Sequence, residues 1–307
     1  MDDRFDLDAY LARIGYEGPR APTLDVLRAV HRRHAEAIAF ENLDPYLRRP
    51  LGLDAGSLQA KLVRAGRGGW CFEQNGLLRL ALDALGFVTT GLAARVLWNA
   101  PATAVTARGH MVLRVEVEGE SYLADVGFGG QTLTAPLAFR LDVVQETPHE
   151  PYRLVHADEH LLLETHVRDA WRPLYRFDLQ PQLPPDYEVS SWYLANHPAS
   201  HFLSGLIAAR PAAGRRNALR DNQLTTHHLG GGSETRLVET PEALRETLTD
   251  VFGLVLPEGP ELERALVEIA ARRPSRPPLH RAQTSTLPDD GVAHHLSARA
   301  LRQGEHV

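Results

Sequence analysis

The chain holds a single cysteine, Cys71, among 307 residues, and that scarcity excludes two arrangements. No internal disulfide can form, which fits a reducing compartment such as the cytoplasm. The multi-cysteine zinc clusters are excluded as well. No uninterrupted apolar run approaches the ~20 residues a helix needs to span a bilayer. The start, Met1-Asp2-Asp3-Arg4-Phe5-Asp6, is acidic and polar, unlike a secretory signal. Positive charge is not in excess: a net charge of −6 and a pI near 6.2 give no general attraction to nucleic acid or anionic lipid. The arginines are scattered rather than gathered in a basic block. There is no internal repeat, no P-loop lysine motif and no Gly-x-Ser-x-Gly elbow. What remains is ordinary. With 43% hydrophobic and 23% charged residues, the composition is that of a soluble globular protein, and the length suits about two domains.

The first 85 or so residues read as helical. Between Thr23 and Phe40, Leu24, Leu27, Val30, His31, His34 and Ile38 recur at helical spacing, with Asp25 and Glu36 opposite. A short helix is expected over Asp54–Val63. A third follows the break at Gly66-Arg67-Gly68-Gly69, with Leu77, Leu78, Ala81, Leu82 and Leu85 as its apolar stripe and Gly86 as its stop. From Phe87 the pattern turns to short β-rich runs: Leu92–Trp98, Met111–Val117, Tyr122–Val126, Tyr152–His156 and Leu161–Val167. Glu118-Gly119 is placed as a hairpin turn between two of them. After Pro181–Pro185 helical and strand texture mix, with helices expected over Asn196–Ala209 and Pro241–Phe252. Beyond about Ala271 the chain has no periodicity and reads as a flexible tail.

A lone cysteine is most often inert packing, but Cys71 has a particular setting. It follows Arg67-Gly68-Gly69-Trp70 and opens the helix that runs to Leu85. A helix amino terminus carries free N–H groups and partial positive charge, which favour a thiolate and suit an oxyanion. A thiolate nucleophile needs a base, and the base needs an orienting group. His110 opens one strand of the expected hairpin and Asp125 closes the other. Their odd separation puts both side chains on one face if the turn has two residues. Val112 then faces Asp125, and His110 is the diagonal neighbour at about 7 Å. A three-residue turn would place them on opposite faces.

At these residues the sequence resembles the arylamine N-acetyltransferases of bacteria. Arg67-Gly68-Gly69-Trp70-Cys71-Phe72-Glu73-Gln74-Asn75 is similar to that family's cysteine motif. So are Phe40-Glu41-Asn42-Leu43-Asp44-Pro45, Ala124-Asp125-Val126-Gly127-Phe128-Gly129-Gly130 and Tyr175-Arg176-Phe177-Asp178-Leu179 to other family segments. Asp186-Tyr187-Glu188, Trp192-Tyr193 and His197-Pro198-Ala199-Ser200-His201-Phe202 extend the likeness, which covers about residues 5–256. Two positions depart from it. Gly109 stands where bacterial members often have threonine, and the tail after Ala271 has no counterpart.

The resemblance implies an α+β fold on a cysteine-protease-like Cys–His–Asp core. Its parts are a helical bundle over 1–86, an antiparallel β-barrel over 87–190 and an α/β lid over 191–270, with the tail at 271–307. It implies a triad of Cys71, His110 and Asp125, with acetyl-CoA as donor and an arylamine, arylhydrazine or hydrazide as acceptor. Phe40, Val96, Phe128 and Phe202 would line the acceptor pocket and cleft mouth. Gly127, Gly129 and Gly130, with Phe202, would let CoA approach the backbone. No metal is expected, because adjacent pairs such as His227-His228 and His294-His295 point apart in a strand, and neither they nor His31 with His34 have accompanying ligands. Arg67 and Glu41 are expected to form a structural ion pair. The same triad also serves thiol hydrolases and amide synthases acting on carrier-bound polyketides. A non-catalytic binding protein is disfavoured by the intact triad.

Overall fold

A computed structural model describes residues 5–101 and 104–273. All but the first three residues of the expected flexible tail, including His294-His295, lie outside the described residues. The N-terminal helices are α1 (Leu7–Arg13), α2 (Leu24–Ala37), α3 (Leu43–Tyr46), α4 (Ala55–Leu58) and α5 (Cys71–Ala84). Asp6 caps α1 by accepting from the Ala9 N–H, and Thr23 caps α2 by accepting from Val26. The helix expected over Asp54–Val63 is split: α4 passes into a single π-helical turn over Gln59–Arg64. Between α2 and α3 lies the two-residue strand β1 (Phe40–Glu41).

Seven strands follow: β2 (Val88–Val96), β3 (His110–Val117), β4 (Glu120–Ala124), β5 (Leu137–Ala138), β6 (Tyr152–Ala157), β7 (His160–Val167) and β8 (Ala170–Phe177). They form one antiparallel sheet in the order β5-β4-β3-β2-β8-β7-β6. Its two edges meet where the segment after β5 bridges β6 at Leu141–Leu154 and Gln145–Tyr152. The result is a nearly closed barrel filled by Leu92, Val112, Leu123, Leu154, Leu163 and Phe177. The alternate residues Leu113, Val115 and Val117 point outward and pack with Leu77, Leu78 and Leu82 of α5. Period-two alternation thus gives β3 two buried faces, one inside the barrel and one against the helices.

Helix α6 (Pro184–Asn196) contains the expected division at residue 190. The other strands and helices are β9 (Ile207–Ala212), β10 (Arg215–Arg220), β11 (Gln223–His228), β12 (Ser233–Leu237), α7 (Pro241–Glu246) and α8 (Pro260–Ala270), and the helix expected over Pro241–Phe252 is α7 passing into a π-helical turn over Thr247–Val251. The second sheet runs β1-β9-β10-β11-β12, so the short N-terminal strand completes it. The helix expected over Asn196–Ala209 is not formed. The segment holds only a 3-10 turn at His201–Leu203 and the start of β9. Pro198 and Gly205 break the helical pattern, while pairing with both β1 and β10 overrides the helix propensity of its alanines. Among the described residues no helix is long and apolar enough to cross a membrane.

Candidate active site

Cys71 is the first residue of α5, and its place is set by the loop before it. Arg67 is buried and bridges Glu41 at 2.7 Å and Asp44 at 3.0 Å. Lys61 bridges Asp44 at 2.6 Å and Glu73 at 2.7 Å. The other Glu73 oxygen accepts the Trp70 N–H at 3.1 Å. The expected Arg67–Glu41 pair is therefore one edge of a buried network of two cations and three carboxylates. Burial opposes the charge on Asp44, but Lys61 and Arg67 outweigh it and hold that carboxyl below its usual range. Glu73 is pushed up, because its burial exceeds the pull of Lys61. Such a network adds little net stability, but it admits few alternative arrangements of the loop. Gln74 closes the loop from the other side, donating to the carbonyls of Ala39 and Gly69 at 2.8 and 3.2 Å.

His110 and Asp125 come from the β3–β4 hairpin. Glu118 and Gly119 form a two-residue turn with φ of 53° and 84°, the positive values of a type I′ turn. The ladder pairs Leu113 with Ala124 and Val117 with Glu120. Continued by one residue, that register sets Val112 opposite Asp125. His110 Nε2 donates to Asp125 Oδ2 at 2.8 Å, and the two residues are 2% and 0% exposed. Asp125 Oδ1 accepts from Asn75 Nδ2 at 2.8 Å and from the Gly127 N–H at 2.9 Å. Burial would raise the Asp125 carboxyl, but His110, Asn75 and Gly127 together hold it below its usual range. Burial would likewise strip the proton from His110. The Asp125 charge and the neighbouring Cys71 sulfur outweigh that and push its pKa up to about 10. Nε2 is committed to the carboxylate, so Nδ1 is the nitrogen left for a second partner, and Cys71 is among the groups that add to the upward shift of the ring. The Cys71 Sγ also stands 3.6 Å from the Gly109 carbonyl.

The aromatic candidates gather in two groups. Phe128 meets the His110 ring edge-on at 5.3 Å between centroids, and Tyr175 packs on the same ring at 5.1 Å. Phe202 packs against Trp70 at 5.3 Å and Phe40 at 6.3 Å. Val96 is half-buried on β2, opposite Tyr175 in the ladder. The three glycines after Asp125 differ. A Cβ at Gly127 would lie 2.8 Å from the Cys71 Cα, one at Gly129 would touch the Phe40 ring at 3.4 Å, and one at Gly130 would meet nothing. Gly127 is therefore needed for close approach of the Asp125 loop to α5.

Asn75 and His31 are site residues to which the sequence reading gave no role. Asn75 also donates to the Met111 carbonyl at 2.7 Å and accepts the Val126 N–H at 2.9 Å. Its signal was available, since it stands one helical turn after Cys71 on the same face. His31 accepts the Asp125 backbone N–H at Nε2, 3.2 Å away. It is neutral, because burial pushes its pKa down to about 4. Among the described residues, no group of three or more His, Cys, Asp or Glu side chains is placed to hold a metal ion.

A helix-borne thiol set beside a barrel-borne His–Asp pair places the fold among α+β proteins built on a Cys–His–Asp core. The comparisons narrow the class. A family model described as N-acetyltransferase matches residues 23–260. The arylamine N-acetyltransferase of Mycolicibacterium smegmatis is 42% identical over 271 residues, covering 86% of this chain and 98% of that protein. That of Escherichia coli is 41% identical over 249 residues, 81% and 88% of the two chains. Among solved structures, the Mycobacterium marinum enzyme superposes with a TM-score of 0.83 at 44% identity. It covers 86% of this chain and all of its own, and its complex with CoA aligns equally well. The chain belongs to the arylamine N-acetyltransferase family and is an enzyme.

Proposed function

We propose that this enzyme moves an acetyl group from acetyl-CoA to an arylamine, arylhydrazine or hydrazide in two half-reactions, through a thioester on Cys71. Its relatives' names and the CoA complex of the Mycobacterium marinum protein support the substrate classes. The residue roles rest on one observation: the buried His110 donates to the buried Asp125 at 2.8 Å, with Cys71 among the groups that push the ring's pKa up. In the resting pair His110 holds the proton and the sulfur carries the negative charge. The sulfur attacks the thioester carbonyl, an S–C bond forms, and the CoA–carbonyl bond breaks. CoA leaves as its thiol with the proton from His110. The backbone N–H groups in the first turn of α5 have no intrahelical partners and can hold the oxyanion. The acceptor nitrogen then attacks the acetyl-cysteine, His110 takes its proton, and the amide departs as the sulfur regains its charge.

In this reading residues 1–86 carry the nucleophile, 87–190 the base and its carboxylate, and 191–270 cover the cleft. Phe40, Val96, Phe128 and Phe202 face the acceptor. Gly129 and Gly130, with Gly127 and Phe202 behind them, face the donor. A cytoplasmic location completes the reading, because the reaction depends on one reduced thiol. Intact-protein mass spectrometry after brief exposure to acetyl-CoA tests the scheme. One acetyl group on the peptide holding Cys71, discharged by an aniline, is the expected result. No adduct, or an adduct elsewhere, overturns it. CoA release that is equally fast without acceptor marks a hydrolase instead.

A further inference from the structure

The seam between the two sheets contains a buried polar chain that the reaction scheme does not use. Arg216, on β10, is 1% exposed and pairs with Glu150 at 2.7 Å through Nε and 2.6 Å through Nη2. The same Nη2 donates to the Tyr152 hydroxyl oxygen at 3.2 Å. Tyr152 is fully buried, and its own proton faces the carbonyls of Gln131 and Thr132 at 3.2 and 3.4 Å. Thr132 then closes the loop behind Asp125. Its N–H donates to the Gly129 carbonyl at 3.1 Å. Its hydroxyl donates to the Asp125 carbonyl at 3.2 Å and accepts the Phe128 N–H at 3.4 Å. A cation in the second sheet thus reaches, through Tyr152 and Thr132, the backbone of the residue that orients His110.

Stability alone does not explain this arrangement. A buried guanidinium costs more in lost hydration than a comparable apolar side chain, and among the described residues its Nη1 has no hydrogen-bond partner, nor does the Gln131 side-chain carbonyl. Geometry does explain it. A donor to the phenol oxygen leaves the phenol proton committed to the loop carbonyls, so the loop between Gly129 and Thr132 is held from the second sheet.

We propose that Arg216 is a positioning residue for the acyl-donor half-reaction, acting through Tyr152 to hold the Gly129–Thr132 loop at the donor side of the cleft. The inference rests on the reading that Gly129 and Gly130 face the donor. Tyr152→Phe is the test, because it keeps the ring in the core and the Arg216–Glu150 pair intact while deleting the link. The KM for acetyl-CoA should rise about 5- to 10-fold, the loss of one hydrogen bond. The acceptor KM and the rate of Cys71 alkylation by iodoacetamide should stay within about twofold. Arg216→Lys should raise the donor KM alone but add nothing to it in the Tyr152→Phe background, because the two act through one contact. An unchanged donor KM in Tyr152→Phe, an equal rise in the acceptor KM, or additive effects in the double variant would each overturn the proposal. A wild-type protein that forms no acetyl-Cys71 sinks the prior reading instead, and the adduct assay separates the two failures.

Discussion

His110 holds a proton that its own burial disfavours. The imidazolium survives because one carboxylate, itself fixed by Asn75 and Gly127, lies 2.8 Å away. The sign follows from the direction of the shift. With the pKa pushed up to about 10, the ring stays charged throughout the neutral range and loses its proton only as pH rises through about 10. In the wild type the His110 ring resonances, followed by NMR, should therefore change little between about pH 6 and pH 8. Asp125→Asn removes the larger of the two influences that oppose burial, so the ring becomes neutral in that range. The alkylation rate near pH 6 should fall by at least about tenfold, and kcat by on the order of 10³–10⁴. An Asp125→Asn protein that alkylates at the wild-type rate would mean that the carboxylate is not what keeps the ring charged. Asn75 and His31 belong to this scale too. The Cys, His and Asp were legible because their chemistry is specific, whereas an amide and a neutral imidazole serving as hydrogen-bond partners look like any buried polar residue in sequence.

Elements bring these residues together, and the decisive contact is between the Asp125 loop and the start of α5. Gly127→Ala places a methyl 2.8 Å from the Cys71 Cα and 3.0 Å from its carbonyl oxygen, both backbone atoms that cannot swing aside. The two elements must separate, at a cost of about 1–3 kcal/mol, and the Cys71–His110 spacing widens with them. Gly130→Ala meets nothing and should leave the urea midpoint unchanged while raising the donor KM. If Gly127→Ala unfolds at the wild-type midpoint with full activity, the close approach has no consequence. At this scale the sequence carried most of the fold. Leucines at helical spacing marked α2 and α5, and Glu118-Gly119 set the hairpin register that aligns His110 with Asp125. Two features were hidden. Strand β8 contains Pro173 opposite Glu164, where the register shifts, so its local pattern reads poorly as strand. The segment after α6 has helix-like composition, and only its neighbours in the second sheet make part of it a strand.

At the scale of the molecule, the two-residue strand β1 joins parts that are far apart in sequence. Phe40 pairs with Ala209 on one side and bridges Gly69 on the other, so the loop leading into Cys71 is tied to the second sheet. Asn42 makes the joint specific. Its Nδ2 donates to the carbonyls of Phe202 and Gly205, each at 2.8 Å, and its Oδ1 accepts the Ile207 N–H at 2.6 Å. These bonds hold the segment whose Phe202 ring packs on Trp70 and Phe40. Nothing local in sequence announces a pairing across some 160 residues, which is why the motif around Phe40 was recognisable while the task of Asn42 was not. Asn42→Ala leaves three backbone groups without partners, and at roughly 1 kcal/mol each the loss is about 3 kcal/mol, a large share of the 5–15 kcal/mol that holds a typical domain together. The loss falls on one joint. Hydrogen exchange should therefore quicken in residues 200–207 while the β3–β4 hairpin, part of the barrel wall, stays protected. Uniform loss of protection across both regions would mean that the second sheet and the barrel unfold as one unit, and that β1 is not the weak link between them.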